Sequence, residues 1–337
     1  MPTQRAMYLG TEEGVLILAE RGGRWEPQRT ILEGRDVQAL LVPTADGPMY
    51  AGLRDSVYVS HDGGTSWDRG FEGNVHAVEV DPCDPQTVYV GTEPVGLYRS
   101  RDAGETWEEI ESLRRQPESV RERWWSPQYP HEAHVRGLYI DHRDVKRMYV
   151  ALEHGGVMRT DDGGDTWQVL IDGFENVDIH VVAGHPVHRN VVFAATARGL
   201  YRSEDLGRGW VRAQGGLACD HTECFAVASG AHTTLFLAAG RGTPPSWARA
   251  TGAESSVFRS DDDGVSWQRL DGGLPASTRS AFRGLVVDPL DPARVYLGAV
   301  DPDPRVWCSI DRGDTWSTVY ESPGPLRLLC VDGGACS

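Results

Sequence analysis

Apolar and polar residues alternate along this chain in short, repeated runs. VHAVEVDP (75–82), TVYVGTE (87–93), GLYRS (96–100) and TWEEI (106–110) follow one another, and FRGLVVDP, RVYLGAV, RVWCS and TWSTV repeat the series between 282 and 319. A period of two over four to eight residues marks a strand with one buried face, so each run predicts a short β-strand and each series a four-stranded unit.

Between the third and fourth runs stands an octapeptide of the form [ST]-x-D-x-G-x-[TSG]-W. It reads SHDGGTSW (60–67), SRDAGETW (100–107), TDDGGDTW (160–167), SEDLGRGW (203–210), SDDDGVSW (260–267) and SIDRGDTW (309–316). LAERGGRW (18–25) is a degenerate seventh, with Glu20 in place of the Asp. These residues suit a tight turn: the carboxylate accepts from backbone N–H groups two residues on, the Gly takes a positive φ, and the Trp covers the turn. The tryptophans (Trp25, Trp67, Trp107, Trp167, Trp210, Trp267, Trp316) recur 40 to 60 residues apart.

A four-stranded unit at that period is a propeller blade, so the chain is expected to be all-β: one seven-bladed β-propeller of four-stranded blades over residues 1–337. The first unit begins at MYLGTEEG (7–14), the counterpart of VYVGTEPVG (88–96), and lacks an opening strand. LRLLCVD (326–332) has no blade of its own and is expected to supply it, closing the sheet and removing exposed edges.

The boxes resemble the Asp-box, or BNR, repeat of bacterial sialidases, which is seen also in xyloglucanase-type glycosidases, sortilin-type receptors and a photosystem II assembly factor. The resemblance covers essentially the whole chain. It implies the propeller fold, and it implies that Asp62, Asp102, Asp162, Asp205, Asp261 and Asp311 are structural turn residues on the face away from those enzymes' active sites. It does not carry sialidase chemistry here. Sialidases have six blades, an Arg-Ile-Pro motif, an arginine triad and a Tyr/Glu nucleophile pair, whereas this chain has seven units and no Arg-Ile-Pro.

Composition narrows the partners. The chain is 40% hydrophobic with 39 Gly and 20 Pro, which suits a soluble, turn-rich protein, and no apolar run approaches the roughly 18 residues that span a membrane. MPTQRAMYLGTEEG has no apolar leader, so a cytoplasmic location is expected. A formal charge of −16 repels nucleic acid and anionic lipid. The six cysteines (83, 219, 224, 308, 330 and 336) form no CxxC pair, so reduced thiols are expected, with a local pairing of Cys219 and Cys224 in CDHTEC left open.

Candidate chemistry lies in the loops and the channel lining. Two insertions, 111–134 and 241–255, are expected on the mouth face; the first is read as a short helix starting near Pro117 and a proline-punctuated arm. They carry Trp124, Trp125 and Trp247, which either pin the loops or form a stacking wall. Aligning the first strands on their VDP ends gives a polar row, Gln38, His76, Arg136, His180, Cys224, Arg283 and Arg327, above an apolar row, Leu40, Val78, Leu138, Val182, Ala226, Leu285 and Leu329.

The arginines suit an anionic ligand or internal pairs with Glu12, Glu93 and Glu153, which stand alike at the ends of the second strands. His76, His134 and His180, with Asn74 and Asp178 beside them, are candidates for acid/base catalysis or for a divalent metal. Cys224 is a candidate nucleophile beside His180.

The leading expectation is a small-molecule site for an anionic or polyhydroxylated ligand. Its catalytic candidates are His76, His134, His180, Cys224 and Glu153, and it would act as a hydrolase or lyase. Its binding candidates are Gln38, Arg136, Arg283, Arg327, Glu93, Trp124, Trp125 and Trp247. A non-catalytic scaffold for a protein partner and a glycoside hydrolase using Glu93 and Glu153 are the alternatives.

Overall fold

The computed structural model describes residues 5–42, 47–125, 132–213, 215–230, 232–275, 278–300 and 302–332. It contains seven four-stranded antiparallel sheets, the blades of a seven-bladed β-propeller. The chain divides into two compact units, residues 1–46 with 213–337, and residues 47–212.

In the first unit, blade one is Leu328–Val331, Ala6–Thr11, Gly14–Arg21 and Arg24–Ile31. Its opening strand comes from the far end of the chain, as the alternation predicts, with Met7 opposite Val331 and Gly10 opposite Leu328. Blade six is His221–Ala228, Thr234–Gly240, Ser256–Ser260 and Gln268–Leu270. Blade seven is Phe282–Asp288, Asp291–Ala299, Arg305–Ser309 and Ser317–Glu321. Phe236, Val257, Leu285, Leu297 and Trp316 form one buried apolar cluster here.

The second unit holds blades three to five. They are Asn74–Asp81, Asp84–Glu93, Gly96–Ser100 and Glu108–Glu109; His134–Ile140, Met148–Glu153, Gly156–Thr160 and Gln168–Leu170; and Ile179–Gly184, Val192–Thr196, Gly199–Ser203 and Val211–Arg212. Blade two is Val37–Leu41, Met49–Leu53, Ser56–Ser60 and Asp68–Glu72. Close packing between blades three and four depends on Gly91, where a Cβ would fall 2.2 Å from Val135.

Six of the recurring turns share one hydrogen-bond plan. In the first, Ser60 Oγ donates to Asp62 Oδ1 and accepts from Gly64 N–H, while Ser66 N–H donates to Asp62 Oδ1. The carboxylate thus reaches four residues ahead, rather than the two expected of a simple Asx-turn. The residue before the Gly is also left-handed, at φ of 58° to 64° in Ala103, Leu206, Asp263 and Arg312, so the serine and aspartate bonds offset the cost of four non-Gly residues there.

Two expectations need correction. In SDDDGVSW the capping carboxylate belongs to Asp262, which accepts from Ser260 Oγ and Ser266 N–H; Asp261 instead accepts from Thr234 Oγ1. LAERGGRW is not a seventh copy: Arg21 pairs with Arg24 across a two-residue Gly22-Gly23 hairpin with both φ positive. Glu20 is freed from capping and pairs with Arg294 and Arg5.

Insertion 111–134 contains helical turns at Glu111–Arg114 and Glu118–Arg121, the second preceded by Pro117 as expected. Its arm at 126–131 lies outside the described residues. Cys83, Cys219, Cys224 and Cys308 are free thiols, so Cys219 and Cys224 are not joined. Cys330 is disulfide-bonded, which corrects the expectation of reduced thiols at that residue; Cys336 lies outside the described residues. Among the described residues no helix is long and apolar enough to cross a membrane.

Candidate functional site on blades three to five

The polar row along the first strands is built by a repeated irregularity. The pairing between first and second strands slips by one residue at Val75/Ala77, Val135/Gly137, Ile179/Val181, Thr222/Cys224 and Phe282/Gly284. Each slip is a β-bulge that leaves one extra residue, and bulges of this kind re-aim a side chain. The extra residues are His76, Arg136, His180, Glu223 and Arg283.

Blade six therefore contributes Glu223, not Cys224. A one-residue displacement sends a side chain to the opposite face of its strand. Cys224 is buried in the apolar cluster, where its thiol donates to the Phe282 carbonyl, and it has no place as a nucleophile in the polar row. Glu223 is buried against His221, with His221 Nε2 2.7 Å from Glu223 Oε1.

In blades three to five the bulged residues join one network. Glu93 Oε2 accepts from Asn74 Nδ2 at 2.8 Å and lies 3.1 Å from His76 Nε2. An ionised carboxylate only accepts, so this contact places the His76 proton on Nε2 and leaves Nδ1 as the acceptor. The His76 ring packs on that of His134 with centroids 4.2 Å apart. Glu153 Oε2 accepts from Arg136 Nη1 and lies 3.3 Å from His134 Nε2. His180, almost wholly buried, places Nε2 3.4 Å from Asp178 Oδ1.

Charge is distributed unevenly across this cluster. Burial, with the His134 and Arg136 charges alongside, pushes the His76 imidazole down to about 3, so it is neutral near pH 7. Burial raises the Glu153 carboxyl, but Arg136, His134 and His180 together outweigh it and hold Glu153 far below the usual carboxylate range. Asp178 follows the same pattern more mildly: burial raises it, and His180 brings it below its ordinary value.

The internal pairing weighed from sequence is present twice. Arg136 meets Glu153, and Arg327 in blade one meets Glu12. Glu93 is the partner of a histidine and an asparagine. Arg283, half-buried in blade seven, has no ion-pair partner among the described residues; Val300, whose N–H donates to Ala281, stands where blade four has Glu153 opposite His134. Gln38 is half-buried in the opening strand of blade two.

Of the insertion tryptophans, Trp124 packs against the apolar cluster of its unit and Trp125 is half exposed, at 51%. Trp247 donates its indole N–H to the Arg241 carbonyl and sets its ring against the His221 edge, which pins the 241–255 insertion. Sequence reasoning missed Glu223 and also His154. The latter follows Glu153 in the turn before the third strand of blade four, and its neighbourhood shows only in three dimensions.

No family model matches the chain. A xyloglucanase from Paenibacillus sp is 24% identical over 305 residues, which take in 77% of this chain and 28% of that protein. The chain thus spans less than a third of the length of that curated relative. Among solved structures, a Niastella koreensis GH74 enzyme superposes with a TM-score of 0.65 at 16% identity, covering 84% of this chain and 45% of the other. A candidate 6-phosphogluconolactonase from Bacteroides fragilis gives 0.67 at 9% identity over 98% of both chains. YCF48 bound to D1 peptide gives 0.56 at 17% identity, covering 84% of this chain and 81% of the other. The class these features define is a seven-bladed propeller with glycoside hydrolase and YCF48 neighbours. At such identities the structural likeness is one of fold.

Proposed function

We propose that the cluster on blades three to five binds a small anionic or polyhydroxylated molecule and acts on it as a hydrolase or lyase. The observation that carries this reading is the set of three successive bulges delivering His76, Arg136 and His180 into one network with Glu93, Glu153 and Asp178. Asn74 fixes Glu93, and Glu93 fixes the His76 tautomer, so Nδ1 of a neutral imidazole is oriented in advance to accept a hydrogen bond from a ligand or from water. Similarity to a xyloglucanase supports a hydrolytic, sugar-like substrate.

A glycosidase pair of Glu93 and Glu153 fits less well. One carboxyl must be protonated to act as acid. Glu153, held deprotonated by Arg136 and the histidines, could be only the base or nucleophile, and Glu93 Oε2 is taken up by Asn74 and His76, so neither is placed as the acid. A protein partner remains the second reading, favoured by the likeness to a YCF48 bound to a peptide.

The test is a turnover screen with sugar oligomers, lactones and anionic esters, comparing the protein with His76→Gln. The reading expects a substrate whose kcat falls about 100-fold or more in the variant while the melting temperature holds. Binding of peptides but of no small molecule, with no turnover in any class, would overturn it in favour of the scaffold.

A further inference from the structure

We propose a divalent cation site formed by Glu153, His154 and Asp178. It draws on the same network but does not depend on the hydrolase reading, because an ion can bind whether or not a substrate is turned over. One carboxylate oxygen from each acid and one imidazole nitrogen all lie within 4.8 Å of one another. An ion at ordinary bond lengths requires these atoms to close by about 1 Å, within the reach of side-chain torsions.

The backbone prepares this meeting. Gly155 and Gly156 both donate to the Val177 carbonyl, which ties the turn carrying His154 to the segment entering blade five. Asp178 is fixed in turn, its N–H donating to Asn176 Oδ1 and its carbonyl accepting from Ala197. One further observation points to a ligand. Asp178 Oδ1 is buried and makes no hydrogen bond, His180 Nε2 standing at ion-pair range. At 3.4 Å His180 compensates this oxygen only in part, and a cation would complete its coordination. His154 occupies a left-handed conformation, φ 63°, which favours glycine.

Glu153 uses Oε2 for Arg136 and His134, which leaves Oε1 for the ion. Glu153 and Asp178 set two carboxylates against the one Arg136 guanidinium, so the cluster still offers acceptor oxygens to a cation. One nitrogen and two oxygens make a borderline donor set that suits Zn²⁺ or Mn²⁺ better than Ca²⁺. Three protein ligands leave coordination positions open to water or a ligand.

The experiment is calorimetric titration of the EDTA-treated, dialysed full chain with ZnCl₂ and MnCl₂, and CaCl₂ as the harder ion. It is repeated on His154→Gly and Asp178→Asn. One Zn²⁺ or Mn²⁺ per chain is expected, weakened about 100-fold or more in both variants. His154→Gly relieves the left-handed residue, so its metal-free melting temperature should hold or rise, and loss of binding there cannot be unfolding. Absence of stoichiometric binding by the unmodified chain, or full affinity retained in His154→Gly, overturns the site. If Asp178→Asn does not fold, His154→Gly decides alone.

Discussion

Blades four and seven place an arginine on the same bulge of the first strand, yet only one of the two meets an acid. Arg136 is paired with Glu153 and linked through it to His134, while Arg283 has Val300 where the acid would stand and no ion-pair partner among the described residues. The backbone plan is common to both blades. What differs is the pair at the strand ends, His134 and Glu153 against Ala281 and Val300, and it decides whether the arginine joins an internal network or stands half-buried without an ion-pair partner among the described residues. The scaffold supplies an address, and the charge at that address is chosen blade by blade.

The largest test of this contrast is Glu153→Gln, which leaves Arg136 and the histidines facing a neutral amide. A loss of about 2–4 kcal/mol in denaturant unfolding is expected, toward the low side for a broken buried pair because Arg136 keeps 28% of its side chain exposed. The matching change in blade one, Glu12→Gln, should cost less than about 1 kcal/mol, since Glu12 is 57% exposed. Equal losses would show that burial does not set the difference.

An acid without a cation should behave in the opposite way. Glu79, on the first strand of blade three, keeps some surface exposed, yet burial pushes its carboxyl up to about 7 against an ordinary 4.5. A raised carboxyl favours the protonated native state, so stability should fall as pH rises from about 4.5 through 7. Glu79→Gln should therefore gain about 1–3 kcal/mol at pH 8 and nothing near pH 4. A pH-independent gain would point to packing instead.

Supplying blade seven with the missing acid is a gentler change. Val300→Glu should stabilise by no more than about 1 kcal/mol at low salt, and the gain should vanish in 1 M NaCl. A gain that survives salt would not be an Arg283 pair. The smallest effect belongs to the turns. The Asp162 carboxyl is held at about 2 by hydrogen bonds from Thr160, Thr166 and the Thr166 backbone. A lowered carboxyl keeps its contribution above its ordinary 3.8 and loses it as pH falls through about 2, so the Thr166 amide should stay protected from exchange at pH 3.

The fold was legible because its signal is periodic. Tryptophans spaced by one blade, and strands alternating around them, sufficed to count seven units and to place 326–332 in blade one. The box pattern failed where a different local solution gives the same letters: Gly22-Gly23 closes a hairpin without help from Glu20, and a run of three aspartates hid Asp262 behind Asp261.

The site was legible only in part, since a bulge adds a residue that alternation cannot reveal. Aligning strands on their ends found His76, Arg136, His180 and Arg283 but slipped at blade six, giving Cys224 for Glu223. The partners of these residues lie across the sheet or in the next blade. Of these, the Glu153 pair was anticipated from its repeated position, whereas His154 has no repeated counterpart to mark it.

The strand Leu328–Val331 also imposes an order of events. Blade one needs it beside Ala6–Thr11, so that strand, once made, waits with an open edge until more than 300 further residues have followed it. At about 5–20 residues per second that wait lasts on the order of 15–60 s. Throughout it, Met7 and Leu9, which end fully buried, have no strand to cover them on that side. Synthesis speed and chaperone supply, more than the strength of any single blade, should then govern how much of this protein reaches its closed form.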